Sequence, residues 1–240
     1  MALESKPLPA EASAIPLVLK IRSLALAPGC RRYFVWAQIV IAFLFLEFAL
    51  WAPTTAIRNR WGSIAIITIV VLVLRDVLID RSSLKRLGLG LPKAFGASIV
   101  LGIGLATVAF MVTVVRCLSG QIPANPAWSP NLRLAWGYLI WALIQEFMLQ
   151  SFFFNRFEDL YGSSAAVWMA STIFAVAHLP SPILTTATLI GALFFCEMFR
   201  RYRSLYPLAI VHATLGLTIA LVTPDSLLHH MRVGIGYLRY

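Results

Sequence analysis

The sequence has very little charge for its length: 12% of its 240 residues are Asp, Glu, Lys or Arg, and only 10 are acidic. Hydrophobic residues make up 60% of the chain. A soluble domain of this size needs more charge on its surface, so the composition excludes one and indicates a polytopic membrane protein. A helical bundle would use nearly the whole length, which favours a single membrane domain.

Cysteine is scarce as well, and Cys30, Cys117 and Cys196 lie far apart in the sequence. The chain has no CxxC pair, so the spacing indicates neither a disulfide framework nor a zinc finger. The first 33 residues lack a compact apolar core followed by a small-residue cleavage site. We therefore do not expect a signal peptide there.

Positive charge is the one charge in excess, with a formal net charge of +10. It lies in short clusters between apolar stretches, such as Arg31-Arg32, Lys85-Arg86 and Arg200-Arg201. None of these clusters is long enough to form a nucleic-acid site, so we predict no nucleic-acid partner. Clusters of this kind are typical of loops that face anionic lipid headgroups, and the predicted surroundings are a lipid bilayer.

The apolar stretches predict an all-α fold, a polytopic transmembrane helical bundle of about seven spans. The predicted spans are residues 34–51, 61–79, 94–115, 132–154, 163–178, 183–199 and 205–222. This divides the chain into an N-terminal cytoplasmic tail (1–33), a transmembrane domain (34–223) and a C-terminal tail (224–240). The cytoplasmic location of the N-terminal tail rests on charge. With the N-terminus inside, thirteen Lys and Arg residues face the cytoplasm and six face the opposite side. Arg75 is left out of this count because it lies within a span.

Three ionisable residues interrupt the later spans: Glu146, His178 and His212. Ionisable groups are costly inside a bilayer, so a chain that places three of them there is expected to use them. The alternative for each one is a lone polar side chain that holds helices together. Two amides flank the glutamate: Gln150 shares its helix face, and Gln145 points about 100° away. We expect the phenylalanines at 147 and 152–154 to face lipid as bulk rather than to clamp a substrate.

These side chains, if they meet in one pocket, have the chemistry needed to activate water. A carboxylate takes a proton from water, one imidazole holds a developing oxyanion, and the second orients the water or protonates the leaving amine. Two histidines and a carboxylate also resemble a metal site with an open position. No HExxH-type spacing sets two ligands on one helical turn, so we favour a site without metal and predict no cofactor.

Three short stretches resemble the motifs of a known family. They are Gln145-Glu146-Phe-Met-Leu-Gln150, Phe174-Ala-Val-Ala-His178 and His212-Ala-Thr-Leu-Gly216. In this order they are similar to the EExxxR, FxxxH and HxxxN motifs of the CPBP family. That family includes the type II CAAX prenyl proteases, the bacteriocin-processing enzymes and the Abi proteins. The resemblance covers about residues 132–222.

The chain departs from these motifs at three positions. Gln145 stands where the family has its first glutamate, usually assigned as the base, Gln150 where it has arginine, and Gly216 where it has asparagine. One interpretation is a pseudoenzyme, because an amide is not a base. The other is that the chemistry has moved to Glu146, since one carboxylate and one guanidinium disappear together and the motif's net charge is kept.

The resemblance implies an intramembrane endopeptidase that cleaves a membrane-anchored or lipidated protein. Its catalytic residues would be Glu146, which activates water, Gln145 and Gln150, which orient it, His178, which stabilises the oxyanion, and His212, which completes the pocket. We expect an integral protein of a bacterial inner membrane. The alternative is an inactive scaffold of the same fold that binds a protein or lipid. A proton or small-molecule carrier is less favoured, because the polar residues form one cluster rather than a track.

Overall fold

The structure, a computed structural model, describes residues 28–78, 83–119 and 132–239. Within these ranges the regular structure is helical throughout, as predicted. The helices are α1 (Pro28–Leu50), α2 (Thr55–Leu78), α3 (Ala94–Ser119), α4 (Leu132–Glu146), a π-helix (Phe147–Phe154), α5 (Asn155–Tyr161), α6 (Ser163–Val176), α7 (Pro182–Tyr202), α8 (Tyr206–Val222), α9 (Asp225–Leu228), a 3₁₀ turn (His229–Met231) and α10 (Ile235–Leu238). Most of the predicted N-terminal tail lies outside the described residues.

Four of these helices are long and apolar enough to cross a membrane: α1 from Arg31 onward, α2, α3 and α7. Helices α6 and α8 are apolar but shorter. Helix α4, the π-helix and α5 follow one another without a break. The all-helical membrane fold is therefore confirmed, whereas the number of seven spans is not.

Short connections make neighbouring helices in sequence neighbours in space, as expected for a bundle. Helix α1 packs on α2, and α6 packs on α7. Pro180 lies in the turn between α6 and α7, and Pro182 is the first residue of α7. Ser181 caps α7, because its hydroxyl accepts a hydrogen bond from the Leu184 amide. Helix α8 packs against both α3 and α4, which brings the predicted site residues of α4 and α8 side by side.

The phenylalanines of the π-helix belong to the core, so the expectation that they face lipid is wrong for 152–154. Phe152 and Phe154 are fully buried and Phe153 nearly so. The ring of Phe154 packs edge-on against Phe199 of α7. A π-helix has more residues per turn than an α-helix, and neighbouring elements surround this one on several sides, so periodicity alone could not assign its buried face.

A buried ion pair joins the early helices to α5. The guanidinium of Arg156, 4% exposed, donates to the Gln38 side chain at 2.8 Å and to Asp76 at 3.0 Å. It also lies 3.8 Å from the centre of the Phe152 ring. Asp76 also pairs with its neighbour Arg75, at 3.2 Å. A buried charge needs such partners, and this one fixes α1 and α2 against the end of the π-helix.

Two segments outside the long helices hold the bundle at its ends. The segment before α3 accepts hydrogen bonds at the carbonyls of Leu87 (from Ser151, 2.6 Å) and Gly88 (from the Leu205 amide, 3.0 Å). At the other end of the sequence, the short helices after α8 pack back on the bundle. There the Gly234 amide donates to the Leu179 carbonyl at 2.7 Å. Both contacts restrain the ends of helices that carry site residues.

Candidate functional site

The carboxylate of Glu146 lies at the centre of a buried polar cluster. Glu146 and Gln150 are both fully buried. Gln150 Nε2 donates to Glu146 Oε2 at 3.1 Å, so the contact expected from their spacing is present. The other carboxylate oxygen, Oε1, lies 2.8 Å from His212 Nδ1. Since both oxygens accept hydrogen bonds, the carboxylate fixes His212 as the tautomer that is protonated on Nδ1.

The imidazole of His212 is held on its faces as well as at its edge. The Phe195 ring stacks on it with centroids 5.3 Å apart and planes 14° apart. The ring of Phe174 meets it edge-on at 5.9 Å. His212 itself is 9% exposed, and that remaining exposure faces a cavity. With Nδ1 bonded to Glu146, Nε2 is the acceptor left to act there.

The second imidazole, His178, lies just past the end of α6. Its Nδ1 is 2.7 Å from the carbonyl oxygen of Phe174, one turn earlier. Because a carbonyl only accepts, His178 Nδ1 carries the proton and Nε2 is again an acceptor in the neutral ring. The Phe174 ring, which touches His212, also lies 4.8 Å from His178. One phenylalanine therefore packs against both imidazoles and fixes their relative position.

Both histidines line one cavity of about 860 Å³ inside the bundle. The volume is that of a site for a drug-sized ligand, and its walls are mostly apolar. Gln145 lines this cavity too, whereas Glu146 and Gln150 do not. Spans four, five and seven supply Gln145 and the two imidazoles. Helices α1, α2, α3 and α7 and the segment after α8 supply further wall, which includes the polar side chains of Arg58, Asn59 and Ser63 on α2.

Behind His212, sealed from the cavity, two polar atoms have no hydrogen-bond partner among the described residues: Gln150 Oε1 and Ser171 Oγ. Both side chains lie beside the thiol of Cys196, which is fully buried. Buried polar groups normally find partners. If the Gln150 amide turned over by 180°, this unused oxygen would face residue 146 in place of Nε2.

The cluster has no metal-binding geometry in the part of the chain that the structure describes. No group of three or more His, Cys, Asp or Glu side chains converges there. Glu146 bonds one imidazole, and the other imidazole bonds a backbone carbonyl. These contacts suit proton transfer and hydrogen bonding.

Some residues outside the cluster also form defined contacts. Glu197 forms local ion pairs with Arg200 at 2.7 Å and Arg201 at 2.6 Å. The sequence analysis missed Phe195, which stacks on His212, and Tyr138, a half-buried residue of the cavity wall. Tyr138 lies seven residues before Gln145, two turns along the same helix face, and that spacing is the signal that could have found it.

Residues 127–218 match the family described as "Type II CAAX prenyl endopeptidase Rce1-like". The match confirms the predicted family. It contains all three motifs and extends from just before α4 to near the end of α8. No curated protein and no solved structure matches the chain. Residues 127–218 are thus similar to the Rce1-like CAAX proteases, in a chain with four helices long and apolar enough to cross a membrane.

Proposed function

We propose that the protein is an intramembrane endopeptidase that cleaves a membrane-anchored or lipidated protein near its lipid anchor. The observation that carries this proposal is the pairing of Glu146 with His212 at 2.8 Å, on the wall of an apolar cavity that also contains His178. A buried carboxylate that fixes a histidine, whose other nitrogen faces a cavity, is the arrangement of a general base.

The base in this proposal is His212 rather than Glu146. Glu146 is sealed behind the imidazole, so it acts on water through the ring and not by direct contact. His212 Nε2 takes a proton from water as the water oxygen attacks the scissile carbonyl carbon. The carboxylate stabilises the imidazolium that forms. When the C–N bond breaks, the same proton passes from Nε2 to the leaving amine, which restores the neutral base.

We also revise the role of His178. The sequence analysis assigned the oxyanion to it, but a neutral ring whose Nδ1 proton is bonded to the Phe174 carbonyl has only an acceptor left. An acceptor is suited to orient the attacking water, and we assign His178 that role. The amide of Gln145, which lines the same cavity, has donors and is suited to the oxyanion. Gln150 steadies Glu146 from behind.

The substrate class follows from the family and from the cavity. The matched description names a CAAX prenyl endopeptidase, so a C-terminal peptide with a prenylated cysteine is the first substrate to test. The largely apolar walls suit a lipid chain. We further propose that the protein lies in a bacterial inner membrane with its N-terminus in the cytoplasm, which the distribution of Lys and Arg supports. We also propose that the chain divides into an N-terminal tail (1–33), a transmembrane domain (34–223) and a C-terminal tail (224–240).

The purified full chain in proteoliposomes tests the proposal with an internally quenched farnesylated CAAX peptide. We expect the wild type to cleave it, and His212→Asn to lower kcat at least ~100-fold because general-base catalysis contributes about 10²–10⁴. His229→Asn is the matched control: His229 stacks on Tyr237 outside the cavity, and asparagine tolerates its left-handed backbone. Equal cleavage by wild type and His212→Asn would exclude this mechanism.

A second function is supported by Gln145. An amide stands in the cavity where the related motif has a carboxylate, which favours an inactive scaffold that binds a protein or lipid in the same cavity. The scaffold proposal predicts no cleavage of any reconstituted substrate. It also predicts that His212→Asn leaves the binding of a farnesylated peptide unchanged, measured by quenching of the cavity residue Trp141 against a Trp141→Phe control.

A further inference from the structure

The two imidazoles give the cavity two hydrogen-bond acceptors, and the donors of Arg58, Asn59 and Ser63 lie on α2 rather than on the helices that carry the imidazoles. Nε2 of His212 and Nε2 of His178 are both acceptors in neutral rings, since each Nδ1 proton is already bonded. Peptide-bond hydrolysis passes through a tetrahedral intermediate whose oxyanion needs preorganised donors. Gln145 supplies one amide, so the geometry calls for another donor near His212.

Tyr138 is placed to supply it. The residue lies on the cavity-lining face of α4, and its ring packs against Gly216 of α8. Gly216 is one helical turn beyond His212, on the same face of α8. A Cβ atom built at 216 would lie 2.8 Å from Tyr138 Cε1 and Cζ and would overlap the hydroxyl oxygen. The phenol therefore occupies the space that a side chain at 216 would fill.

The hydroxyl of Tyr138 also has a proton to give. Among the described residues it has no hydrogen-bond partner, unlike the two threonines of the cavity wall. Thr107 donates to the Ile103 carbonyl at 2.9 Å, and Thr188 donates to the Leu184 carbonyl at 2.7 Å. A half-buried hydroxyl on the cavity wall that donates to no protein group is free to donate to a ligand in the cavity.

We propose that Tyr138 is a catalytic residue whose hydroxyl donates a hydrogen bond to the oxyanion of the tetrahedral intermediate. It would stand in for the amide that the related motif has at position 216, where this chain has glycine. No bond to Tyr138 forms or breaks; the hydroxyl keeps its proton while the intermediate forms and collapses. This inference rests on the proposed function, because it needs a reaction that develops an oxyanion.

The first test is Tyr138→Phe in the proteoliposome assay with the farnesylated peptide. The ring stays in place against Gly216, so the change removes only the donor. We expect kcat to fall about 100- to 1000-fold, the usual cost of losing one oxyanion donor, with KM within about threefold. Tyr206→Phe is the matched control, since that hydroxyl donates to the Leu89 carbonyl outside the cavity, and it should leave activity unchanged.

A second pair of variants tests whether the side chains at 138 and 216 exchange places, with thermal stability as a readout beside activity. Gly216→Asn should lower the melting temperature in detergent when Tyr138 is present, because the new side chain overlaps the phenol. It should be tolerated in the Tyr138→Ala background, and the double variant should recover activity over Tyr138→Ala alone. Rescue of this kind is not expected if the tyrosine only fills space.

The outcomes separate the two proposals. Cleavage by the wild type with an unchanged kcat in Tyr138→Phe overturns the role of Tyr138 and leaves the protease proposal standing. An equally stable Gly216→Asn variant also overturns it, since the phenol would not occupy that space. A wild type that cleaves nothing overturns the protease proposal and, with it, the oxyanion role.

Discussion

Replacing Glu146 by glutamine tests the link between the buried carboxylate and His212 with little change in shape. The new amide oxygen still accepts from His212 Nδ1, where the distance is now 2.8 Å. Its NH₂ group then faces the NH₂ group of Gln150. Because Gln150 Oε1 has no partner in the described part of the chain, the Gln150 amide turns over and accepts from the new residue. We therefore expect the fold to survive, with a melting temperature within a few degrees of the wild type.

Activity should fall much more than stability, because the lost charge acts on the imidazolium of the transition state. A charge-assisted hydrogen bond is about twice as strong as a neutral one, a difference of about 1 kcal/mol or more. That sets a lower limit near fivefold in kcat, at about 1.4 kcal/mol per factor of ten. Two charges about 4 Å apart near a protein surface interact by about 4 kcal/mol, which sets an upper limit near 1000-fold.

The assay is kcat for the farnesylated peptide in proteoliposomes, beside the thermal unfolding of the same preparation. Glu197→Gln is the matched control, because Glu197 pairs with Arg200 and Arg201 away from the cavity. That variant should retain full kcat. A Glu146→Gln enzyme with kcat within threefold of the wild type would refute the reasoning, since His212 would then work without its carboxylate.

Two further predictions concern packing. A methyl group at Gly104 would lie 2.6 Å from Val211 Cγ2, whereas a methyl group at Gly102 on the same helix has open space around it. Gly104→Ala should therefore lower the free energy of unfolding by about 1–3 kcal/mol, and Gly102→Ala should not lower it. Chemical denaturation of the two variants in detergent measures the difference. In a Cys30→Ser background, a maleimide should label exposed Cys117 in the folded protein and Cys196 only after unfolding, and mass spectrometry of the labelled peptides checks this.

Much of the fold follows from composition and hydropathy. The seven apolar stretches all contain helix, and α6 and α7 are separate helices as the predicted spans 163–178 and 183–199 require. Hydropathy could not predict which stretches cross a bilayer, because four helices have the length for it and two are shorter. It also missed the π-helix, since hydropathy is insensitive to a change from 3.6 to about 4.4 residues per turn.

The sequence predicted which residues belong to the candidate site better than it predicted how they are arranged. The motifs identified the three ionisable residues and both glutamines, and the structure brings them into one cluster or its adjoining cavity. The sequence could not tell that Glu146 lies behind His212 while Gln145 faces the cavity. That difference depends on helix rotation and on the packing of α8 against α4. Phe195 and Tyr138 carry no motif, and their roles come from contacts across helices.

The position of the single carboxylate explains why the two glutamines occur together. A carboxylate at 145 would face the cavity beside two imidazole acceptors, and an arginine at 150 would sit against Glu146 and neutralise the charge that holds His212. With amides at both positions, the Glu146 carboxylate is the single charge of the cluster. It lies behind His212, so in the proposed mechanism it acts only through the imidazole. Gln145 and Tyr138, both on α4, line the cavity and carry N–H and O–H donors. These donors lie where the chain has glutamine in place of the related motif's glutamate at 145, and beside Gly216, which stands in place of its asparagine.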